Sequence, residues 1–128
     1  MKHIMTDKIE FTARTIPGSG IGKRIGFPTI NLNLSDIPKS LPEGVYAGFV
    51  FPEKLPCAIS YGPRPTVNGD TSFEVHLINK ELLETPSKMT IRLIARLRNI
   101  RNFKSVAELK EQIGKDIVNA NAVLNRLE

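Results

Sequence analysis

The hydrophobic pattern changes period once along the chain, and that change limits the folds available to it. Up to about residue 98 apolar residues recur at alternate positions in short runs, and beyond it they recur every three or four residues. Lys8 to Ile16, with Ile9, Phe11 and two threonines, reads as a first strand. GVYAGFV, residues 44–50, reads as another, and a short apolar strand lies around Ala58 to Tyr61. In SFEVHLI, Phe73, Val75 and Leu77 alternate with Glu74, His76 and Ile78, so Glu74 and His76 share one strand face. MTIRLIARLR is the clearest strand, with Ile91, Leu93, Ala95 and Leu97 on one face and Arg92, Arg96 and Arg98 opposite.

After the change of period, Val106, Leu109, Ile113, Ile117, Ala120, Leu124 and Leu127 form one apolar stripe of an amphipathic helix. Ser105 followed by Glu108 makes a capping box worth about 1 kcal/mol, so the helix is predicted to begin near Ser105. Between the strands, LNLSDIPKSLPEG reads as a surface loop, and Gly62-Pro63-Arg64-Pro65 and Asn68-Gly69 as turns. Strands followed by one helix, with no βαβ alternation, predict a compact antiparallel barrel closed or flanked by that helix.

At 128 residues the chain suits one domain with a modest core. No apolar run approaches the roughly 20 residues that span a bilayer, and MKHIMTDKIEF has no signal-peptide core, so a soluble cytoplasmic protein is expected. Cys57 is the single cysteine, which excludes an internal disulfide and a thiolate metal cluster; it reads as a small buried hydrophobe. The net charge of +5 suits a nucleic acid and equally a nucleoside triphosphate. The basic cluster Arg92, Arg96, Arg98, Arg101 and Lys104 lacks the aromatic interleaving of single-strand binders and reads as a solvated strand face.

PGSGIGKRIGFPTINL, Pro17 to Leu32, holds the chemistry-bearing pattern. It is not a P-loop: only three residues separate Gly18 from Gly22, Arg24 stands where a Ser/Thr would bind magnesium, and Gly26-Phe27-Pro28 prevents an immediate helix. It is not a dinucleotide fingerprint either, because no βαβ unit surrounds it. Glycines still allow a close backbone approach to phosphate and an anion-binding nest, with Lys23 and Arg24 supplying charge; a plain hairpin is the other reading. Downstream, Thr29 and Asn31 project to one side of an extended segment as neutral oxygen donors, the kind Mg²⁺ accepts beside phosphates; a structural turn is the alternative.

GSGIGKRIGFPTINL closely resembles the riboflavin kinase (flavokinase) signature, in which Ile30 replaces the usual alanine. EGVYAGFV, AISYGPRPTV, FEVHLI and LRNIRNFKSVAELKEQIGKDI resemble further segments of that family in the same order, so the resemblance covers nearly the whole chain. It implies a six-stranded antiparallel Greek-key barrel with a C-terminal helix. It also implies nucleotide contacts at Gly18, Gly22, Lys23, Thr29 and Asn31, with Mg²⁺ held by Thr29 and Asn31. Glu74 matches the catalytic base, and Arg98, Arg101 and Phe103 lie on the side implied for the flavin. His76 reads as a structural hydrogen-bonding residue rather than a second base. The chain departs from the family where an Asp-Leu-Tyr-Gly turn is replaced within KELLETPSK, residues 80–88.

The expected activity is transfer of the γ-phosphoryl group of ATP to the 5′-hydroxyl of riboflavin, giving FMN and ADP from one domain, residues 1–128. With no nucleotidyltransferase segment ahead of the barrel, FMN is the expected end product, and a monomer without a nucleic-acid or membrane partner is expected. The rival from another class is a small nucleic-acid-binding barrel using its arginine strand. An inactive flavin-binding descendant of the kinase is a third reading, against which Thr29, Asn31 and Glu74 argue.

Overall fold

The computed structural model describes residues 3–17, 27–63 and 70–126. Its elements are β1 (His3–Ile16), β2 (Ile30–Leu32), a 3₁₀ turn (Leu34–Asp36), β3 (Gly44–Phe51), β4 (Leu55–Pro63), β5 (Thr71–Leu77), β6 (Lys88–Arg98) and α1 (Val106–Arg126). The six strands pair antiparallel around a closed barrel in the order β1-β2-β5-β4-β3-β6. Strands β3, β4 and β5 succeed one another as neighbours and β6 returns beside β3, which is the Greek-key arrangement.

Alternation along the strands builds two cores. Leu32, Tyr46, Ile59, Phe73, Val75, Ile91 and Leu93 point into the barrel with Cys57 and fill it. Val45, Ala47, Phe49, Ala58, Ala95 and Leu97 point outward and meet Ala120, Val123 and Leu124 of α1. The three strand alanines keep this outer wall flat enough for a helix to lie on it. Burying each large apolar side chain stabilises the fold by about 1.5–3 kcal/mol before the entropy of ordering it is counted.

Strand β6 departs from the alternation its sequence suggests. Opposite the consecutive residues Val45 and Tyr46 stand Arg98 and Arg96, and opposite Ala47 and Gly48 stand Ala95 and Leu93, so Leu97 and Ile94 are extra residues in two bulges. Each bulge reverses the facing of the residues beyond it. Ile91 and Leu93 therefore enter the barrel, whereas Ala95 and Leu97 face the helix. Nor are the arginines a solvated face. Arg92 Nε donates to Glu10 Oε1 at 2.8 Å with its guanidinium over Phe51, and Arg96 Nη2 donates to the Glu43 carbonyl at 2.6 Å and to Asn99 Oδ1 at 2.8 Å. Arg98 is bound to Asp116.

The loop after β2 is less superficial than its prolines suggest, because Ile37 and Leu41 join the interior core. Asp36 ties the same loop to β1 by accepting from Arg14 Nε at 2.8 Å and from the Arg14 backbone N–H at 2.9 Å. These bonds hold its carboxyl below the usual carboxylate range. The helix starts at Val106 as expected, with the Glu108 N–H donating to Ser105 Oγ at 3.1 Å. The return bond to Glu108 Oε1 comes from the Lys104 N–H at 3.4 Å, one residue earlier than a capping box requires. Val106 itself is exposed, Val123 joins the stripe, and Leu127 lies outside the described residues.

Strand β3 can approach β6 closely only because residue 48 is glycine. A Cβ there would stand 2.4 Å from the Arg92 carbonyl oxygen, a backbone atom that cannot swing away. Gly48→Ala should destabilise the barrel by about 1–3 kcal/mol, seen as a lower urea midpoint with an unchanged slope. An unaltered midpoint would show that β3 and β6 lie farther apart than this register requires.

Candidate active site

The outer wall carries a polar row as well as the apolar patch under the helix. Directly paired residues of an antiparallel sheet share a face. Asn31 of β2 stands opposite Glu74 of β5, Glu74 opposite Ser60 of β4, Ser60 opposite Val45 of β3, and Val45 opposite Arg98 of β6. The neighbours Leu32, Phe73 and Val75 point into the barrel, so Asn31 and Glu74 both face outward. Sequence separation hid this: residues 31, 74 and 98 meet only because β2 pairs with β5 and β6 returns to β3.

Glu74 is half-buried, and its Oε2 accepts from Ser72 Oγ at 2.9 Å. Ser72 and His76 flank it on the same face. His76 is only 7% exposed, and among the described residues its Nδ1 has no hydrogen-bond partner. Burial pushes the imidazole below its ordinary value, while the charges of Glu74 and Asp116 oppose that shift. The structural hydrogen-bonding role expected of His76 thus finds no partner at that nitrogen.

Asn31 is 3% exposed, and Thr29 is half-buried two residues before it. The segment leading into them passes close to the helix, since a Cβ on Gly114 would meet Phe27 Cζ at 3.9 Å. Gly18, Gly22 and Lys23 lie outside the described residues. Among the described residues no group of three His, Cys, Asp or Glu side chains is placed to hold a metal. Cys57 is buried in the barrel, and burial pushes its thiol up to about 12, which removes it as a nucleophile.

At the other end of the row, Arg98 Nε and Nη2 donate to the two Asp116 oxygens at 2.8 and 2.7 Å, and Nη1 donates to the Asn99 carbonyl at 2.9 Å. Gln112 Nε2 donates to Asp116 Oδ1 at 3.0 Å, and Gln112 Oε1 accepts from Arg101 Nη1 at 3.3 Å. The Arg101 guanidinium lies 4.8 Å from the Phe103 ring centre. Arg98, Arg101 and Phe103 are thus brought together, but through Asp116 and Gln112, which sequence reasoning passed over. Their i,i+4 spacing on the predicted helix was the available signal.

The divergent turn has no regular structure over residues 78–87. It is held to β1 where Thr15 Oγ1 donates to the Pro86 carbonyl at 2.7 Å and the Thr15 N–H to the Ser87 carbonyl at 3.0 Å. Leu82 packs on the barrel core and Leu83 is fully exposed. No helix among the described residues is long and apolar enough to cross a membrane.

These features define a class of small closed antiparallel barrels that carry a carboxylate and neutral oxygen donors on the outer wall, beside a terminal helix. The chain belongs to the riboflavin kinase (flavokinase) family, whose profile matches residues 5–124. Similar proteins include the bifunctional riboflavin kinase/FMN adenylyltransferases of Buchnera aphidicola subsp. Schizaphis graminum, 36% identical over 113 residues, and of Escherichia coli K12, 35% identical over 113 residues. The matched regions cover 83% and 85% of this chain, and 36% of each relative. The Haemophilus influenzae protein of that name is 34% identical over 116 residues, covering 88% of this chain and 37% of its own. The chain therefore spans little more than a third of these relatives. A crystal structure described as a macrolide-efflux protein from Streptococcus pneumoniae shares the fold with a TM-score of 0.70 at 26% identity, over 84% of this chain and 36% of that one.

The buried His76 gives the fold a pH dependence of definite sign. The unfolded imidazole takes up its proton near 6.5, whereas the buried one resists it, so the unfolded state binds more protons below that value. The contribution is complete above 6.5 and is lost as the pH falls toward the lowered native value. Unfolding free energies of His76→Gln from urea titrations should therefore fall less steeply than wild type as the pH drops below about 6.5, by up to about 1.4 kcal/mol per pH unit. Parallel slopes would show that His76 is not held neutral.

Proposed function

We propose that this chain is a riboflavin kinase that transfers the γ-phosphoryl group of ATP to the 5′-hydroxyl of riboflavin, yielding FMN and ADP. The observation that carries the reading is the direct cross-strand pairing of Glu74 with Asn31, two residues after Thr29, within a chain of this family. A carboxylate is thereby set beside a neutral oxygen donor suited to a cation.

In this reading Glu74 accepts the proton of the attacking hydroxyl, and the bond from Ser72 Oγ fixes its orientation. Thr29 and Asn31 would hold Mg²⁺; hard neutral oxygens beside phosphate suit that ion, and both residues are sheltered enough to stay ordered. An ion held by Thr29 and Asn31 would supply positive charge against the negative charge of the transferring phosphates. Gly18, Gly22 and Lys23 are assigned to the phosphates, and the stacked Arg101 and Phe103 to a face of the planar flavin ring. Catalysis here is positioning together with charge stabilisation. The reading extends to one domain over residues 1–128, working as a cytoplasmic monomer with FMN as its product. The nucleic-acid alternative is not favoured, because Arg92, Arg96 and Arg98 are engaged by Glu10, Glu43 and Asp116.

Incubation with riboflavin, ATP and Mg²⁺, with subsequent separation of the flavins, should yield FMN. Glu74→Gln keeps the side-chain volume and removes the base, so turnover should fall roughly 10²- to 10⁴-fold while both Michaelis constants move far less. Near-normal turnover of this variant would refute the assignment of Glu74. Thr29→Ala and Asn31→Ala should each raise the Mg²⁺ and ATP concentrations needed for half-maximal rate and leave riboflavin affinity nearly unchanged. Unaltered metal dependence in both variants would move the metal site elsewhere.

A further inference from the structure

We infer that Asp116 is the positioning residue for the flavin-side loop, residues 99–105, and that Arg98 acts through it rather than by touching substrate. The inference rests on the riboflavin kinase reading and deepens it. All three guanidinium nitrogens of Arg98 are engaged: Nε and Nη2 by Asp116, and Nη1 by the Asn99 carbonyl, the first residue of the loop. Arg98 is therefore the loop's anchor, held through all three of its nitrogens. Asp116 also accepts from Gln112, whose other amide atom accepts from Arg101, and Arg101 lies over Phe103. One buried helix carboxylate, 6% exposed, thus organises both the start of the loop and the Arg101–Phe103 stack.

A purely stabilising role explains this arrangement poorly. Desolvating two charges offsets much of their attraction, so a buried ion pair contributes geometry more dependably than it contributes stability. The pair also lies at the end of the row that begins with Asn31 and Glu74, across β5, β4, β3 and β6. A loop held there presents its aromatic and guanidinium planes at a fixed place relative to the base. If the loop were free, riboflavin would have to order it on binding, and the cost would fall on flavin affinity alone.

The test uses Asp116→Asn and Gln112→Ala. The second removes the link between Asp116 and Arg101 from a half-exposed position without stranding a buried charge, so it is the variant that must remain folded. Riboflavin affinity is measured by quenching of the flavin's own fluorescence, and steady-state kinetics supply both Michaelis constants. The expected result is riboflavin binding weakened roughly 2- to 10-fold in Gln112→Ala and roughly 10- to 100-fold in Asp116→Asn, with the Michaelis constant for ATP within twofold of wild type. A folded Gln112→Ala with wild-type riboflavin affinity overturns the positioning role, as does a parallel change in both Michaelis constants. Wild-type protein that neither binds riboflavin nor forms FMN overturns the kinase reading, and this inference with it.

Discussion

Strand β6 is hydrogen-bonded along both edges, to β1 and to β3, and this double pairing closes the sheet. A closed sheet has no free edge and needs its interior filled by side chains, here the cluster around Phe73, Ile91 and Leu93. The same strand must also furnish the surface on which the helix rests. Its two bulges meet both demands, because an added residue reverses which face the subsequent side chains occupy. Ala95 and Leu97 then serve the helix, while Arg98 emerges on the outer wall at the edge of the helix contact.

The outer wall has two chemical regions that depend on each other. Small apolar residues, Ala47, Ala58 and Ala95, allow α1 to settle closely, and Asp116 of that helix is buried where it pairs with Arg98. Burial makes those charges matter more, since the surroundings screen them less than water would. Burial also keeps the His76 imidazole below its usual value, so the histidine beside Glu74 on its strand face is neutral.

This division suits the proposed chemistry. Phosphoryl transfer asks the protein for little covalent work and much positioning. A rigid barrel fixes Glu74 and Asn31 across one ladder rung, and a helix tied down through Asp116 carries the loop that would face the second substrate. In that proposal the two substrates are held by separate parts of one wall, with Glu74 in the row between Asn31 and Arg98.

The single change of hydrophobic period was enough to reveal strands and then one helix, and Phe73, Val75 and Leu77 against Glu74 and His76 were assigned to their faces by alternation alone. Thr29, Asn31 and Glu74 were legible as candidates because their segments carry a recognisable family pattern. Alternation failed on β6, where each bulge adds a residue that a fixed period cannot anticipate, so the inward and outward sets were misread beyond Leu93. It also could not show that Ile37 and Leu41 of a proline-bearing loop would enter the core, or that Arg98 would be taken by Asp116. Local sequence determines which residues can share a face, because side-chain direction is set by backbone geometry over a few residues. Which faces meet depends on strand order and register, and these are settled only when residues far apart in the chain compete to bury the same surface.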